Sequence, residues 1–276
     1  MSDQSVSDQF DLTGRVAVIT GGAGLLGRKH ADALAECGGI PVLLDISEEA
    51  AKKSAKEIGG EALGIAVDIT DEIAIDSALA MVKQKFGRID ILVNNAANNP
   101  KIEEGGMADK VWSRLENFPI DIWNDDIEVG LTGAFLCSRI FGAEMAAQGK
   151  GVILNVASDL GLIAPDQRIY REQGKADADQ RVKPVSYSVV KAGLIGLTRY
   201  LATYWADQGV RANSLVAGGV YNGQDDAFVE RLSNLIPLGR MARKDEYKAA
   251  MVFLISDASS YMTGANLVID GGRTVW

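Results

Sequence analysis

Short apolar runs alternate along the chain with longer segments in which apolar residues recur at helical spacing. Most runs are flanked by glycine, asparagine or aspartate. The side chains of each run are apolar on both faces of the strand, which is typical of a buried parallel strand. The predicted strands cover residues 15–20, 40–45, 63–67, 89–94, 151–157, 210–216 and 266–270. The predicted helices cover residues 24–37, 47–58, 71–86, 120–147, 185–207, 224–235 and 243–256. This alternation predicts a three-layer α/β fold, a doubly wound and mostly parallel seven-stranded sheet with helices on both faces.

Two long connections and the start of the chain depart from this rhythm. Residues 98–119 and 160–184 both follow strand ends at the edge of the sheet where such folds bind ligands. We interpret both as lids over the site, with a solvated surface loop as the alternative for 160–184. Residues 1–10 are expected to be a flexible tail, and residues 11–276 to form a single domain.

Composition narrows the class of protein. The chain has 276 residues, is 47% hydrophobic and carries a net charge of −9, which predicts a folded protein that binds neither nucleic acid nor an anionic membrane. The sequence shows no apolar run long enough to span a membrane and no secretory signal pattern. Cys37 and Cys137 have no metal-site or disulfide spacing, so we expect a cytoplasmic protein with reduced thiols and no metal.

A glycine-rich loop lies between the first strand and the first long helix. Residues 20–27 read TGGAGLLG, and this strand-loop-helix context is typical of dinucleotide binding. Glycine permits the close approach of backbone to a pyrophosphate, and the helix N-terminus supplies free N–H groups. We therefore predict cofactor contacts from Gly21, Gly24, Leu25 and Leu26, with a simple strand-to-helix turn as the alternative.

Asp45 ends the second predicted strand, 24 residues after Gly21. A carboxylate there can accept hydrogen bonds from the adenosine ribose hydroxyls and repels a 2′-phosphate, so NAD is preferred over NADP. The alternative for Asp45 is a solvated carboxylate at a strand end. The adenosine half is also expected to contact residues that follow the third and fourth strands, namely Asp68, Ile69, Asn95 and Ala96.

The residues available for acid-base chemistry are few. His30 is the single histidine, falls one turn into the first long helix and is expected to be a surface or packing residue. Tyr187 and Lys191 are spaced to share one helix face, and Ser158 ends the fifth strand. A nearby ammonium can lower the pKa of a tyrosine toward the range in which it exchanges protons.

These residues together resemble the short-chain dehydrogenase/reductase family, an NAD(P)-dependent oxidoreductase family with a Rossmann fold. The resemblance runs from about residue 10 to the C-terminus through FDLTGRVAVITGG, LVNNAA, LTGAFLCSR, YSVVK, VRANSLVAGGV and YMTGANLVIDGG. It implies that Tyr187 is the general acid-base, that Lys191 holds the nicotinamide ribose and that Ser158 orients the substrate oxygen. It also implies a cofactor contact from the Val220 backbone and a homotetramer.

The sequence departs from the family pattern at several positions. Gly130 replaces an asparagine that helps hold a proton-relay water, which leaves bulk water or Thr132 as substitutes. Ala217 and Asn222 replace a usual proline and a cofactor-contacting threonine. The 160–184 connection is an insertion between the catalytic residues.

Within this insertion, Arg168 and Arg171 are candidate anchors for a polar or anionic substrate. The expected reaction is NAD-dependent interconversion of a secondary alcohol and a ketone, on a small polar molecule such as a sugar derivative.

The sequence leaves two other functions open. Leu25 occupies a usual glycine position, and the resulting TGxxGxxG pattern is typical of sugar-nucleotide epimerases and dehydratases. Those enzymes add a C-terminal substrate domain, and only six residues follow Asp270 here, which favours the dehydrogenase. A non-catalytic dinucleotide sensor is the second alternative, suggested by Gly130. The presence of Ser158, Tyr187 and Lys191 together counts against it.

Overall fold

A single sheet forms the centre of the protein. The structure is a computed structural model that describes residues 4–98 and 111–276. The strands are β1 Val16–Thr20, β2 Ile40–Asp45, β3 Leu63–Ala66, β4 Ile91–Asn94, β5 Gly151–Ser158, β6 Val210–Ala217 and β7 Asn266–Ile269. Their order is β3-β2-β1-β4-β5-β6-β7, and each neighbouring pair is parallel. The sheet is thus wholly parallel, where the sequence predicted a mostly parallel one.

Helices cover both faces of this sheet. They are α1 Val6–Gln9, α2 Leu25–Glu36, α3 Glu48–Ile58, α4 Glu72–Phe86, α5 Ile120–Ile127, α6 Gly133–Gln148, α7 Val185–Tyr204, α8 Asp226–Ser233 and α9 Lys248–Ile255. Successive side chains of a strand point to opposite faces, so the apolar runs bury residues on both sides. One core contains Leu34, Leu43 and Met251, and the core on the opposite face contains Val82 and Phe141. The three-layer α/β fold is confirmed.

The strand order places a crevice beside the carboxyl end of β1. The chain runs outward from β1 to β2 and β3, and then returns to the other side of β1 with β4. The loops that follow β1 and β4 therefore diverge, and such a switch point is where doubly wound sheets bind ligands. The glycine-rich loop and the segment after Asn94 lie on its two sides.

The long helix predicted over residues 120–147 is interrupted. It consists of α5, a π-helical segment over Glu128–Thr132 and then α6. Gly130 and Gly133 weaken the helix here, because glycine has low helix propensity and allows close packing. A Cβ atom at Gly130 would lie 2.6 Å from Val190 Cγ1 on α7, so the two helices approach too closely for a side chain.

The two long connections and the N-terminal segment have defined contacts where the structure describes them. Residues 4–10, predicted to be a flexible tail, include α1, and the ring of Phe10 lies 6.5 Å from that of Phe253. The first predicted lid falls largely on residues 99–110, which lie outside the described residues. Its last part packs against the second predicted lid, because Ser113 Oγ accepts a hydrogen bond of 3.3 Å from the Val182 amide.

Candidate active site

One cleft of about 620 Å³ lies over the carboxyl ends of the strands, on the glycine-rich loop and beside α7. Every residue predicted to bind the cofactor or to take part in catalysis lines this cleft. These residues are Gly21, Gly24, Leu25, Leu26, Asp45, Asp68, Ile69, Asn95, Ala96, Ser158, Tyr187, Lys191 and Val220. The fold thus brings together residues from six different strand ends.

The glycine-rich loop requires glycine at specific positions. Gly21 has a φ of +59°, and a Cβ atom at Gly27 would lie 2.1 Å from the Gly21 carbonyl oxygen. A Cβ atom at Gly22 would lie 2.7 Å from Leu43 Cβ. Gly24 is the N-cap of α2 and has no side chain to cap it. The first-turn amides of α2 therefore remain available for an anion such as a pyrophosphate.

Asn95 holds the glycine-rich loop through hydrogen bonds to its first residues. Its side-chain amide donates to the carbonyl oxygens of Thr20 at 3.0 Å and Gly21 at 3.1 Å, and its backbone amide donates to Thr20 Oγ1 at 3.0 Å. The side chain of Asn95 thus holds the loop in place, while the residue as a whole lines the cleft. Sequence reasoning predicted a cofactor contact and did not foresee this bracing role.

Asp45 ends β2, which lies three strands away from β5 and Ser158 in the sheet. Its carboxylate accepts hydrogen bonds from the backbone amides of Ala23 at 3.1 Å and Ser47 at 3.2 Å. These bonds fix the carboxylate at the carboxyl end of β2, beside the glycine-rich loop. The next residue, Ile46, is exposed and apolar, so it offers no positive charge to a 2′-phosphate.

Tyr187 and Lys191 lie one turn apart on α7. The Lys191 ammonium is 5.7 Å from the centroid of the Tyr187 ring and donates a hydrogen bond of 2.8 Å to the Val156 carbonyl oxygen. Burial, and then repulsion by the nearby Lys183 ammonium, lower the pKa of Lys191 to about 8. Since an ammonium has three donors, two remain for other acceptors in the cleft.

Ser158 is hydrogen-bonded to the residue that follows it. Its hydroxyl donates to Asp159 Oδ1 at 2.8 Å and accepts a hydrogen bond of 3.3 Å from the Leu160 amide, so one lone pair remains to accept a hydrogen bond from another hydroxyl group. The other carboxylate oxygen, Asp159 Oδ2, lies 3.6 Å from Arg273 Nε. Burial is the largest influence on Asp159 and raises the pKa of this carboxyl.

Lys183 contributes a further positive charge to the catalytic end. Its ammonium lies 3.8 Å from the centroid of the Tyr187 ring, a cation–π distance. Burial lowers its pKa to about 8, although Asp159 and Asp126 favour the charged form. Ser186 Oγ donates to the buried carboxylate of Asp126, which joins α5 to the start of α7.

The two arginines predicted as substrate anchors do not line the cleft. Arg168 forms a bidentate ion pair with Asp166, and 77% of its side chain is exposed. Arg171 is also exposed. The insertion contributes Ile169, Tyr170 and Lys183 to the cleft instead. Ile169 packs with α8 in a small apolar cluster, and Tyr170 packs against that cluster.

Sequence reasoning missed Asp159 and Arg273 as parts of the site. Both line the cleft and both are buried, with 3% and 7% of their surface exposed. Asp159 could have been predicted to line the site, because it directly follows Ser158 in the sequence. Arg273 comes from the C-terminal end of the chain, and nothing in its local sequence connects it with the fifth strand.

The structure also locates the residues named for the proton relay. Val129, next to Gly130, lines the cleft, whereas Thr132 is exposed and is not among the cleft-lining residues. Val190 occupies the space into which a side chain at Gly130 would project. Thr132 therefore has no observed contact that supports it as a substitute for the asparagine.

Other candidate chemistry finds no support in the described ranges. His30 is a packing residue with 0% of its surface exposed, and burial lowers its pKa to about 4. No cluster of three or more His, Cys, Asp or Glu side chains is arranged to hold a metal in the described ranges. Within the same ranges, no helix has the length and apolar character needed to span a membrane.

Comparison with known proteins gives the family. A family model described as Enoyl-(Acyl carrier protein) reductase matches residues 22–274. An NAD-dependent glycerol dehydrogenase of Listeria innocua is 33% identical over 283 residues, covering 100% of each chain. A D-threitol dehydrogenase of Mycolicibacterium smegmatis is 34% identical and covers 98% of this chain and 97% of its own.

A solved structure shows the same architecture over the whole chain. It is a gluconate 5-dehydrogenase from Burkholderia cenocepacia in complex with NADP and tartrate. Its TM-score is 0.85 at 30% identity, and the match covers 99% of this chain and 100% of that one. The fold and site therefore define an oxidoreductase that uses a nicotinamide dinucleotide. The chain belongs to the short-chain dehydrogenase/reductase family.

Proposed function

We propose that this enzyme uses NAD to interconvert a secondary alcohol and a ketone on a small polar molecule, a polyol or another sugar derivative. The observation that carries the proposal is the convergence of Ser158, Tyr187 and Lys191 with Asp45 in one cleft. The full-length relatives named for glycerol and threitol support a polyol-like substrate. They also favour a dehydrogenase over an epimerase or a non-catalytic sensor.

The cofactor fits the residues present. The amides of Leu25 and Leu26 have no side-chain cap and would bind the pyrophosphate. Gly21 and Gly27 pack closely against each other, and no side chain at either position blocks the approach of a ligand to these amides. Asp45 would accept hydrogen bonds from the adenosine ribose, and its negative charge favours NAD over NADP. Asp68, Ile69 and Ala96 would contact the adenosine half, and the Val220 backbone would contact the carboxamide.

A bound nicotinamide would supply a hydride acceptor for the alcohol carbon and, in its oxidised form, a positive charge. Tyr187 Oη takes the hydroxyl proton as the alcohol becomes a ketone, and returns it in the opposite direction. Ser158 Oγ accepts a hydrogen bond from the same hydroxyl and so orients the reacting oxygen. The Lys191 ammonium binds the nicotinamide ribose and favours the phenolate form of Tyr187.

A substrate panel tests the proposal. The enzyme is incubated with NAD and glycerol, threitol, xylitol, glucitol or their acid derivatives, and NADH formation is followed by absorbance. We expect turnover of at least one compound, with a higher kcat/KM with NAD than with NADP. Tight NADH binding without turnover of any member would instead support the sensor alternative and contradict the proposal.

A further inference from the structure

Arg273 reaches the catalytic end of the cleft from a turn that follows β7. Gly271 and Gly272 have φ values of +68° and +91°, which glycine adopts without strain. The Asp270 carboxylate fixes the turn, because it accepts hydrogen bonds from the amides of Gly272 at 2.8 Å and Thr274 at 2.7 Å. The turn directs Arg273 into the protein, where 7% of its surface is exposed.

The guanidinium of Arg273 has unused hydrogen-bonding capacity. Its nearest anion is Asp159 Oδ2, at 3.6 Å from Nε, which is beyond hydrogen-bond distance. The described residues give the guanidinium no hydrogen bond, and Asp159 Oδ2 is buried without a hydrogen-bond partner, so the two groups interact only through their opposite charges. Buried polar groups are normally paired, and a guanidinium presents five N–H donors in a fork that matches a carboxylate.

The neighbours of Arg273 define where its ligand would lie. Ser158, which is hydrogen-bonded to Asp159, lies on one side of the pair, and Tyr170 lines the same part of the cleft. Tyr170, Tyr187 and Arg273 all line the cleft. Burial has the largest effect on the pKa of Tyr170 and raises it, while the Arg273 charge lowers it and Tyr187 raises it, so the three side chains lie near one another. A group bound there would lie a few bonds from a hydroxyl held by Ser158 and Tyr187.

The charges around this part of the cleft favour a ligand group that carries a single negative charge. Arg273 supplies a fork of donors, while the Asp159 carboxylate beside it would repel a doubly charged phosphate. A carboxylate matches both the fork and the charge.

We propose that Arg273 binds a carboxylate of the substrate, so that the preferred substrate is a hydroxy acid rather than the corresponding neutral polyol. This inference rests on the proposed function, because it assigns the substrate class of the same site. Arg273 thus takes the anchoring role predicted from the sequence for Arg168 and Arg171.

Matched substrate pairs test the proposal by activity. Glycerate and glycerol, threonate and threitol, and gluconate and glucitol each differ by a carboxylate in place of a terminal CH₂OH. We expect the wild-type enzyme to favour the acid of at least one pair by about tenfold or more in kcat/KM, the scale of one charge-assisted bidentate contact. Arg273→Gln should remove that preference, and Arg273→Lys should retain part of it. Arg168→Gln, an exposed matched control, should leave it unchanged.

A binding measurement keeps this test separate from the proposed reaction. Tartrate is titrated calorimetrically into each protein saturated with NADH, which needs no turnover. We expect Arg273→Gln to weaken tartrate binding by about tenfold or more and Arg168→Gln to leave it unchanged. If tartrate binds in this Arg273-dependent way and no alcohol is oxidised, the proposed function fails and the carboxylate site stands.

Three results would overturn the carboxylate site. One is a wild-type preference for the neutral polyol in every pair, and another is equal loss of acid and polyol turnover in Arg273→Gln. The third is tartrate binding that Arg273→Gln leaves unchanged. Arg273→Lys guards against a folding defect, because it keeps the charge beside Asp159, and circular dichroism of both variants verifies their fold.

Discussion

The pKa of Tyr187 reflects opposing influences at the catalytic end of the cleft. Burial has the largest effect and raises it, the hydrogen bond with Ser158 lowers it, and the Asp159 charge raises it. The protein alone thus holds Tyr187 as a neutral phenol that can donate a proton to a ketone. The positive charge of oxidised nicotinamide favours the phenolate needed for alcohol oxidation.

Single residues at the site differ in how far the sequence could predict them. The spacing of Tyr187 and Lys191 on one helix face is weak evidence alone. The pair was predictable because it occurs together with the glycine-rich loop and the other motifs of the family resemblance. Arg273 was not, because it lies 115 residues beyond Ser158 in the chain and meets Asp159 only through the β6–β7 pairing and the turn after β7. Arg168 was predicted to anchor the substrate because it lies between the catalytic residues in the sequence, but it pairs with Asp166 outside the cleft.

The preference for NAD is tested at Asp45. Asp45→Ala removes the charge that would repel a 2′-phosphate, so we expect NADP binding to strengthen and NAD binding to weaken, each by roughly tenfold. Titration of both cofactors against intrinsic tryptophan fluorescence measures the change. Glu49→Ala, at an exposed carboxylate on α3, is the control. Wild-type affinity for NADP equal to or above that for NAD would contradict the role of Asp45.

His30 makes stability depend on pH. Its pKa is about 4 in the folded state against an ordinary 6.5, so its stabilising effect is complete above pH 6.5 and is lost as pH falls toward 4. Between roughly pH 7 and pH 5 this amounts to about 2 kcal/mol in the free energy of unfolding. Urea denaturation at pH 7 and pH 5 measures the free energy of unfolding of wild type and His30→Leu. Between these two pH values the variant should lose about 2 kcal/mol less than wild type. Equal losses would show that His30 remains neutral or becomes solvated.

At the scale of elements, the strands were the most predictable part of the fold. Their uninterrupted apolar runs follow from burial on both faces, and their observed ends differ from prediction by at most two residues. The interruption of the 120–147 helix was not predictable, because it depends on the approach of α7 to Gly130. The contacts of the 160–184 insertion with α8 likewise depend on tertiary packing, including the 2.7 Å hydrogen bond from Arg231 Nε to the Ile169 carbonyl oxygen.

The contact between Gly130 and α7 gives a second stability prediction. Gly130→Ala places a methyl group against Val190, so we expect a loss of about 1–3 kcal/mol in the free energy of unfolding, despite the better helix propensity of alanine. Val190→Ala alone is the control, and the double variant should recover most of the Gly130→Ala loss. A Gly130→Ala protein as stable as wild type in urea would contradict the close approach.

At the scale of the whole molecule, apolar residues remain exposed on α6 and α7. Phe135 on α6 is 46% exposed, and Tyr200 and Tyr204 on α7 are 62% and 59% exposed. The rings of Tyr200 and Tyr204 stack at 5.6 Å, forming a continuous aromatic surface. Exposed apolar patches of this kind mark protein–protein contacts. We infer that these helices form the interface of the homotetramer that the family resemblance implies.

Sedimentation tests this assembly. At micromolar concentration we expect a particle of about four times the 29.4 kDa chain mass. Tyr204→Glu should reduce it to a smaller species, whereas Val6→Glu, at an exposed residue of α1, should not. A wild-type monomer would contradict the inference.

We predict that the C-terminal Trp276 inserts into a neighbouring subunit. It is 76% exposed in this chain, and its Nε1 donates a hydrogen bond of 3.0 Å to the Leu235 carbonyl oxygen. Its exposure leaves the ring accessible to a second chain. Its place in the assembly stays a prediction.

The proposed reaction depends on proton transfer by Tyr187 while hydride passes to NAD, and the Tyr187→Phe variant probes this step. Its kcat for NADH formation is measured on the best substrate of the panel, together with its NADH affinity by fluorescence titration. We predict that kcat falls by about 10²–10⁴-fold while NADH affinity changes less than about twofold, because the ring remains and only the hydroxyl is lost. A variant that keeps most of the wild-type kcat would show that Tyr187 is not the group that transfers the proton.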